Sequence, residues 1–331
     1  MKMIELVERF PAQMAESLEI GSKAVINKHT APIRNVYVAG MGGSGIGGNF
    51  VSEFIRNECK IPYLVGKGYD VPKYVNKFTL AIASSYSGNT EETLTALEGL
   101  LASGAKVVCI ASGGKLIEKA KALGLDYIVV PGNWPSPRAC LGYSLIQQLF
   151  ILNKLGIISG RPIKQMESSM KLLIANQEKI KKEAFKIAAQ LHGKIPVIYT
   201  TDRMESVAVR FRQQVNENAK MLCWHHIIPE MNHNELVGWR IPNEDLAVVY
   251  FRNKDDYSRN QIRIDINKEI IGGYTKTIIE LWSKGKNIVE QSMYFVFLGD
   301  YISCYLSDLR GVDSIEVDAI NLLKDALAKV D

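Results

Sequence analysis

The chain has 331 residues, enough for two cores, because a single core stops growing near roughly 250–300 residues. Its composition, 47% hydrophobic and 23% charged, is that of a globular protein, and no apolar run approaches the roughly 18 residues that span a bilayer. A net charge of +5, with basic residues spread rather than blocked, excludes the footprint of a nucleic-acid binder and favours a small anionic substrate.

The opening M-K-M-I-E-L-V-E-R-F carries two glutamates and no small-residue cleavage site, so it is not read as a signal peptide and a cytoplasmic location is expected. Residues 1 to 30 read as one helix, with Met3, Leu6, Val7, Phe10, Met14 and Leu18 at helical spacing despite Pro11. A short strand, N-V-Y-V-A-G, leads into the loop G-M-G-G-S-G-I-G-G and then a helical pattern. Strands follow at Pro62 to Val65, Phe78 to Ala83, Lys106 to Ala111 and Leu125 to Val130, with helices at Glu91 to Ala102 and Leu116 to Leu123. This alternation predicts an α/β fold with a doubly wound, mainly parallel sheet flanked by helices.

After the loop P-G-N-W-P-S-P-R-A comes a long apolar helix from residue 141, then a charged helical connector over roughly residues 163 to 192. From P-V-I-Y-T-T the order of events repeats. The strand and helix around residues 196 to 212 echo residues 35 to 56, the strand at 245 to 252 echoes 78 to 85, and N-I-V-E-Q-S-M-Y-F-V-F-L echoes the strand, loop and long helix of 126 to 153. The expectation is two copies of one unit, residues 1–160 and 161–331, only the first keeping the glycine and serine loops. Two different strand orders would defeat that duplication. Five cysteines (Cys59, Cys109, Cys140, Cys223, Cys304), odd in number and never in a C-x-x-C pair, read as reduced and mostly buried thiols.

Two loops carry chemistry. Gly40, Gly42 and Gly45 fit G-x-G-x-x-G between a strand and a helix, which suits a dinucleotide or simply a tight turn. The acidic residue a dinucleotide site needs about 20 positions on is missing; the next strand ends in Lys67, with no carboxylate before Asp70. The second loop, S-S-Y-S-G-N-T, crowds Ser84, Ser85, Ser87 and Thr90 at a strand end, ahead of the helix opened by Glu91 and Glu92. Phosphate oxygens want hydroxyl and N–H donors at a helix N-terminus. Capping by Asn89 or Thr90 would explain one of these residues but not four hydroxyls.

These residues resemble the sugar isomerase (SIS) domain. Two such units, with P-R-A at 137 to 139, N-E-N-A-K at 216 to 220 and M-N-H-N-E at 231 to 235, are similar to the bifunctional phosphoglucose/phosphomannose isomerases over essentially the whole chain. The resemblance implies an aldose–ketose isomerase that works through a cis-enediolate, a homodimer without cofactor or metal, with no nucleic-acid or membrane partner. It implies Gly43, Ser44, Ser85, Ser87 and Thr90 as the phosphate site and Glu217 as the base. His233, contributed across the dimer interface, and Lys324 would open the sugar ring, and Arg138 would stabilise the enediolate. A metal site from His225, His226 and His233 with Cys223 or Glu230 competes, but no standard ligand spacing is present. A phosphosugar-sensing regulator and a nicotinamide-dependent oxidoreductase are the rival functions. The first lacks chain for a DNA-reading domain ahead of the first strand, and the second lacks the acidic residue. Ile315 and Glu316 stand where relatives often carry Thr-Pro, a step associated with mannose, so glucose 6-phosphate is the firmer substrate expectation.

Overall fold

A computed structural model describes residues 1–330. The chain divides into two compact units, one of residues 8–176 and 284–294, the other of residues 1–7, 177–283 and 295 onward.

The expected N-terminal helix is two helices, α1 (Met3–Glu8) and α2 (Phe10–Lys23). Pro11 has no N–H to donate and its ring would strike the carbonyl four residues back, so the helix breaks at Arg9 and restarts with the proline in its first turn. There follow β1 (Asn35–Ala39), α3 (Gly42–Ile55), β2 (Tyr63–Gly66), β3 (Thr79–Ser84), α4 (Glu91–Ala102), β4 (Lys106–Ala111), α5 (Gly114–Ala122), β5 (Asp126–Val129) and α6 (Leu141–Lys154). The five strands form one parallel sheet in the order β2-β1-β3-β4-β5. Both faces of the central strands are buried: Val36, Val38, Leu80, Ile82 and Val108 are fully enclosed, while Ala81, Ala83 and Cys109 pack into a cluster with Leu97, Leu100 and Leu116. Burial on both faces is why these strands read as continuous apolar runs rather than alternating ones.

The helix α7 (Arg161–Leu191) leads to β6 (Ile195–Thr201), α8 (Glu205–Ala219), β7 (Trp224–Ile228), β8 (Leu246–Arg252), α9 (Ser258–Ile271), β9 (Ile278–Trp282), α10 (Ile288–Arg310) and α11 (Asp318–Leu327). The second sheet is also parallel, in the order β7-β6-β8-β9. Matching β6 to β1, β7 to β2, β8 to β3 and β9 to β4 makes the two orders identical, the result a duplication requires. Aromatic pairs fill its core, with ring centroids 5.5 Å apart for Tyr199 and Tyr250 and 4.9 Å for Phe251 and Phe295. A buried, two-pronged ion pair between Arg210 and Asp300, with contacts of 3.1 and 2.7 Å, fastens α8 to α10.

The echo of residues 126 to 153 holds only for its helix. No further strand lies between β9 and α10; the Asn287 side chain accepts from the N–H groups of Val289 and Glu290, both at 3.1 Å, and so starts the helix where a strand was expected. The second sheet therefore lacks a counterpart of β5 among the described residues. Among those residues no helix is long and apolar enough to cross a membrane.

Candidate functional site

The glycine loop turns from β1 into α3. A Cβ at Gly40 would lie 2.9 Å from the Ser84 carbonyl, and one at Gly45 would lie 2.5 Å from the Gly40 carbonyl, so backbone packs on backbone here and only glycine fits. The Met41 carbonyl accepts from the N–H groups of Ser44 and Gly45, whereas those of Gly42 and Gly43, in the first turn of α3, have no intrahelical acceptor.

The S-S-Y-S-G-N-T loop lies at the end of β3, beside β1. Ser85, 2% exposed, places its Oγ 2.7 Å from Thr90 Oγ1 and accepts the Gly88 N–H at 3.1 Å; the Asn89 N–H donates to Ser87 Oγ at 3.2 Å. Thr90 is the N-cap residue of α4, yet its side chain makes no cap hydrogen bond and pairs with Ser85 instead. The capping explanation thus fails for Thr90. Gly88 turns the loop at a φ of +70°, where a Cβ would collide with the Gly113 carbonyl at 1.8 Å. Asn89 is spent elsewhere, its Oδ1 accepting from Lys115 N–H at 3.0 Å. The first-turn N–H groups of α4 and the hydroxyls graded from buried Ser85 to exposed Ser87 are donors of the kind a tetrahedral anion accepts from. Glu91 and Glu92 in that first turn suit the helix dipole but oppose a dianion, so countercharge has to come from another element. Lys67 stands beside the glycine loop, its Cε 3.2 Å from the position of a Gly45 Cβ.

Ser144, on α6, joins the two loops from beneath. Its Oγ is 3.0 Å from Ser84 Oγ and donates to the Ser44 carbonyl at 3.3 Å. Arg138 is 7% exposed, in the 3₁₀ turn Pro137–Ala139. Gln13, buried on α2, holds that turn from both sides: Nε2 donates to the Ala139 carbonyl and Oε1 accepts the Gly142 N–H, each at 2.9 Å. Gly43, Ser44, Ser84, Pro137 and Ser144 surround a cavity of about 10 Å³, room for one water and not for a sugar. A much larger cleft, about 750 Å³, opens beside Lys28, Glu58, Lys60 and Lys154. It lies by the N-terminal ends of β1 and β2, whereas ligands of open parallel sheets bind at the carboxyl ends, where both loops are.

The other unit carries Glu217, His233 and Lys324. Glu217 is half-buried in the last turn of α8. Lys220 caps that helix in the left-handed conformation, φ 54°, and its Nζ donates to the carbonyls of Glu217, Asp313 and Glu316 at 2.7, 2.8 and 2.8 Å. The helix end bearing Glu217 is thereby tied to the segment that precedes α11, on which Lys324 is exposed. His233 is the exposed last residue of a 3₁₀ turn, Glu230–His233, that buries Met231. His225 and His226 are adjacent on β7 and so point to opposite faces: His226 Nδ1 lies 2.7 Å from Glu235 Oε2, His225 Nε2 3.9 Å from Glu205. Among the described residues no three His, Cys, Asp or Glu side chains are grouped to hold a metal ion. The five cysteines are free thiols, and burial pushes Cys109 and Cys223 up to about 12, which leaves no thiolate nucleophile there near neutral pH.

Sequence reasoning proposed none of Lys67, Gln13, Ser144, Lys220 or Glu235. The position of Lys67 at a strand end beside the glycine loop was visible in the sequence. The others act through contacts that only the folded chain brings about.

The family model described as the bacterial phospho-glucose isomerase C-terminal SIS domain matches residues 180–327. A bifunctional phosphoglucose/phosphomannose isomerase of Caldicellulosiruptor bescii is 38% identical, the match covering 99% of each chain. A D-glucosamine-6-phosphate 4-epimerase of Sulfolobus acidocaldarius is 30% identical over 86% of this chain and 89% of its own. Among solved structures, a candidate phosphosugar isomerase from Clostridium difficile 630 superposes with a TM-score of 0.77 at 18% identity, covering 96% of this chain and 95% of that one, which bears on the fold alone.

Proposed function

The chain belongs to the family of bifunctional phosphoglucose/phosphomannose isomerases, and on that premise we propose that it interconverts glucose 6-phosphate, and mannose 6-phosphate, with fructose 6-phosphate. The observation that carries the reading is the Ser85–Thr90 hydroxyl pair at the start of α4, left free of capping and suited to a phosphate monoester.

In this reading Gly43 supplies backbone N–H and Ser44, Ser85, Ser87 and Thr90 supply hydroxyls to the phosphate. His233 and Lys324 move protons between the ring oxygen and O1, opening the hemiacetal. Glu217 then takes the C2 proton and returns it to C1, while a second proton passes from O2 to O1. The intermediate is an enediolate whose negative charge the Arg138 guanidinium offsets. Because C2 is planar in that intermediate, glucose and mannose 6-phosphate converge on it. No step calls for a redox cofactor or a metal. We read residues 1–160 and 161–331 as the two SIS domains and the active species as a homodimer; the exposure of His233 suits its presentation to a second copy.

Glu217→Gln, assayed by a dehydrogenase coupled to glucose 6-phosphate, is expected to lose on the order of 10²–10⁴-fold in kcat and to stop exchange of the C1 and C2 protons with D₂O. Undiminished turnover or exchange would remove Glu217 as the base. Activity should survive EDTA. The 4-epimerase relative gives a second reading, which NMR of the products decides: isomerisation leaves C4 untouched, and a C4 epimer would overturn the proposal.

A further inference from the structure

We infer that Glu235 is a positioning residue that sets where His233 stands; this rests on the reading of His233 as a ring-opening group. His233 closes one 3₁₀ turn, and Glu235 opens the next, Glu235–Gly238, with Asn234 alone between them. His233 is exposed, so packing does not hold it. Its place depends on what anchors its chain neighbours.

On the N-terminal side of His233, Met231 is fully buried and Asn232 Nδ2 donates to Asn267 Oδ1 at 2.7 Å; on its C-terminal side the Glu235 carboxylate is the anchor. Oε1 accepts from Tyr199 OH at 2.6 Å and from Trp224 Nε1 at 3.0 Å, and Oε2 lies 2.7 Å from His226 Nδ1. A carboxylate only accepts, so His226 Nδ1 is the donor in this contact. Tyr199 OH in turn accepts from Trp239 Nε1 at 3.0 Å, just beyond the second turn. Three donors from two strands fix both oxygens of one side chain, so the carboxylate cannot rotate away without breaking charge-assisted bonds. The backbone is fixed as well: Glu235 N–H donates to Asn234 Oδ1 at 2.6 Å, and Asn234 Nδ2 donates to Glu230 Oε1 at 3.0 Å, closing the turn around His233. A histidine two residues from so constrained a carboxylate is held to the sheet without touching it.

The bland alternative is that Glu235 merely satisfies the buried Tyr199 hydroxyl and the Trp224 indole and contributes stability. A double-mutant cycle separates the two roles. Glu235→Ala in the otherwise unchanged protein is expected to lower kcat for glucose 6-phosphate on the order of 10-fold to 10²-fold, the scale of an ångström's misplacement of a catalytic group. In a His233→Ala background it should lower kcat no further. Glu235→Gln keeps an acceptor for Tyr199 and Trp224 and is expected to show the same non-additivity with a smaller loss; it decides the matter if Glu235→Ala does not fold. An equal loss in both backgrounds, with His233→Ala itself impaired, would overturn the inference and leave the role of His233 standing. Full kcat in His233→Ala would remove that role and the inference with it.

Discussion

The β3–α4 loop of one unit and the β8–α9 loop of the other occupy corresponding places in sheets of the same strand order, and on the proposed reading they treat an anion in opposite ways. In the first, the Ser85 and Thr90 hydroxyls lie 2.7 Å apart with no side chain of the chain bound as an anion between them. In the second, the loop N-K-D-D-Y folds its own carboxylate inward. Asp256, 6% exposed, accepts from Thr201 Oγ1 at 2.7 Å and from the Asn253 N–H at 3.1 Å. The end of β6 and the end of β8 thus meet around an internal anion where their counterparts in the first unit offer donors outward. One backbone plan serves both, and on the proposed reading loop chemistry decides whether an external phosphate has a place.

The largest effect that would break this contrast lies in the turn itself. Gly88→Ala puts a Cβ at a φ of +70° and 1.8 Å from the Gly113 carbonyl, and no flexible side chain can yield there. It should cost about 3 kcal/mol of stability or more, read as a fall in the thermal midpoint. The second loop needs no such glycine: Lys254→Ala, at an exposed position, should stay within about 0.5 kcal/mol of the parent. Equal behaviour of the two would mean that the first loop is not tightly closed.

A smaller effect separates binding from folding. Ser85→Ala removes a donor from the proposed phosphate site and should raise KM for glucose 6-phosphate about tenfold, the value of one hydrogen bond to a charged group, with kcat less affected. Thr201→Val removes the corresponding donor in the second unit. It should leave KM unchanged and cost about 1–3 kcal/mol of stability, since Asp256 loses a partner while buried. If Thr201→Val raised KM as well, the second unit would share in phosphate binding and the division of labour would be wrong.

How far the sequence allowed this to be read follows the same division. The strands buried on both faces, such as T-L-A-I-A-S, and the glycine and hydroxyl loops were legible because local pattern determines them. The strands β7 and β9 were not. W-H-H-I-I carries two histidines on an edge strand, and I-I-E-L-W is five residues with a glutamate in the middle, so neither presents a clean apolar run. The resemblance supplied Glu217, His233, Arg138 and Lys324 as roles but gave no account of what holds them. Gln13 reaches the Arg138 turn across 126 residues and Lys220 reaches Glu316 across 96, distances over which sequence periodicity is silent.

The smallest predicted effect tests whether the second loop is an anion site at all. Burial raises the Asp256 carboxyl above its ordinary value of 3.8, and the Thr201 and Asn253 hydrogen bonds and the nearby Arg203 pull it down without cancelling that rise. Through the interval between the ordinary and the raised value, the folded protein holds more of this proton than the unfolded chain does, so this group's contribution to stability declines as pH rises. Asp256→Asn removes the proton and keeps one acceptor. Its unfolding free energy relative to the parent should therefore improve as pH is raised from about 4 and then level off above the raised value. Denaturant titrations of both proteins across the acid range measure that tilt. A tilt of the opposite sign would mean that two donors suffice to favour the buried carboxylate, and the second loop would then be an anion cradle as good as the first with its own ligand built in. The expected sign says the reverse: two donors do not offset burial, and a phosphate would need further donors of the kind the β3–α4 loop brings together in the Ser85 and Thr90 hydroxyls.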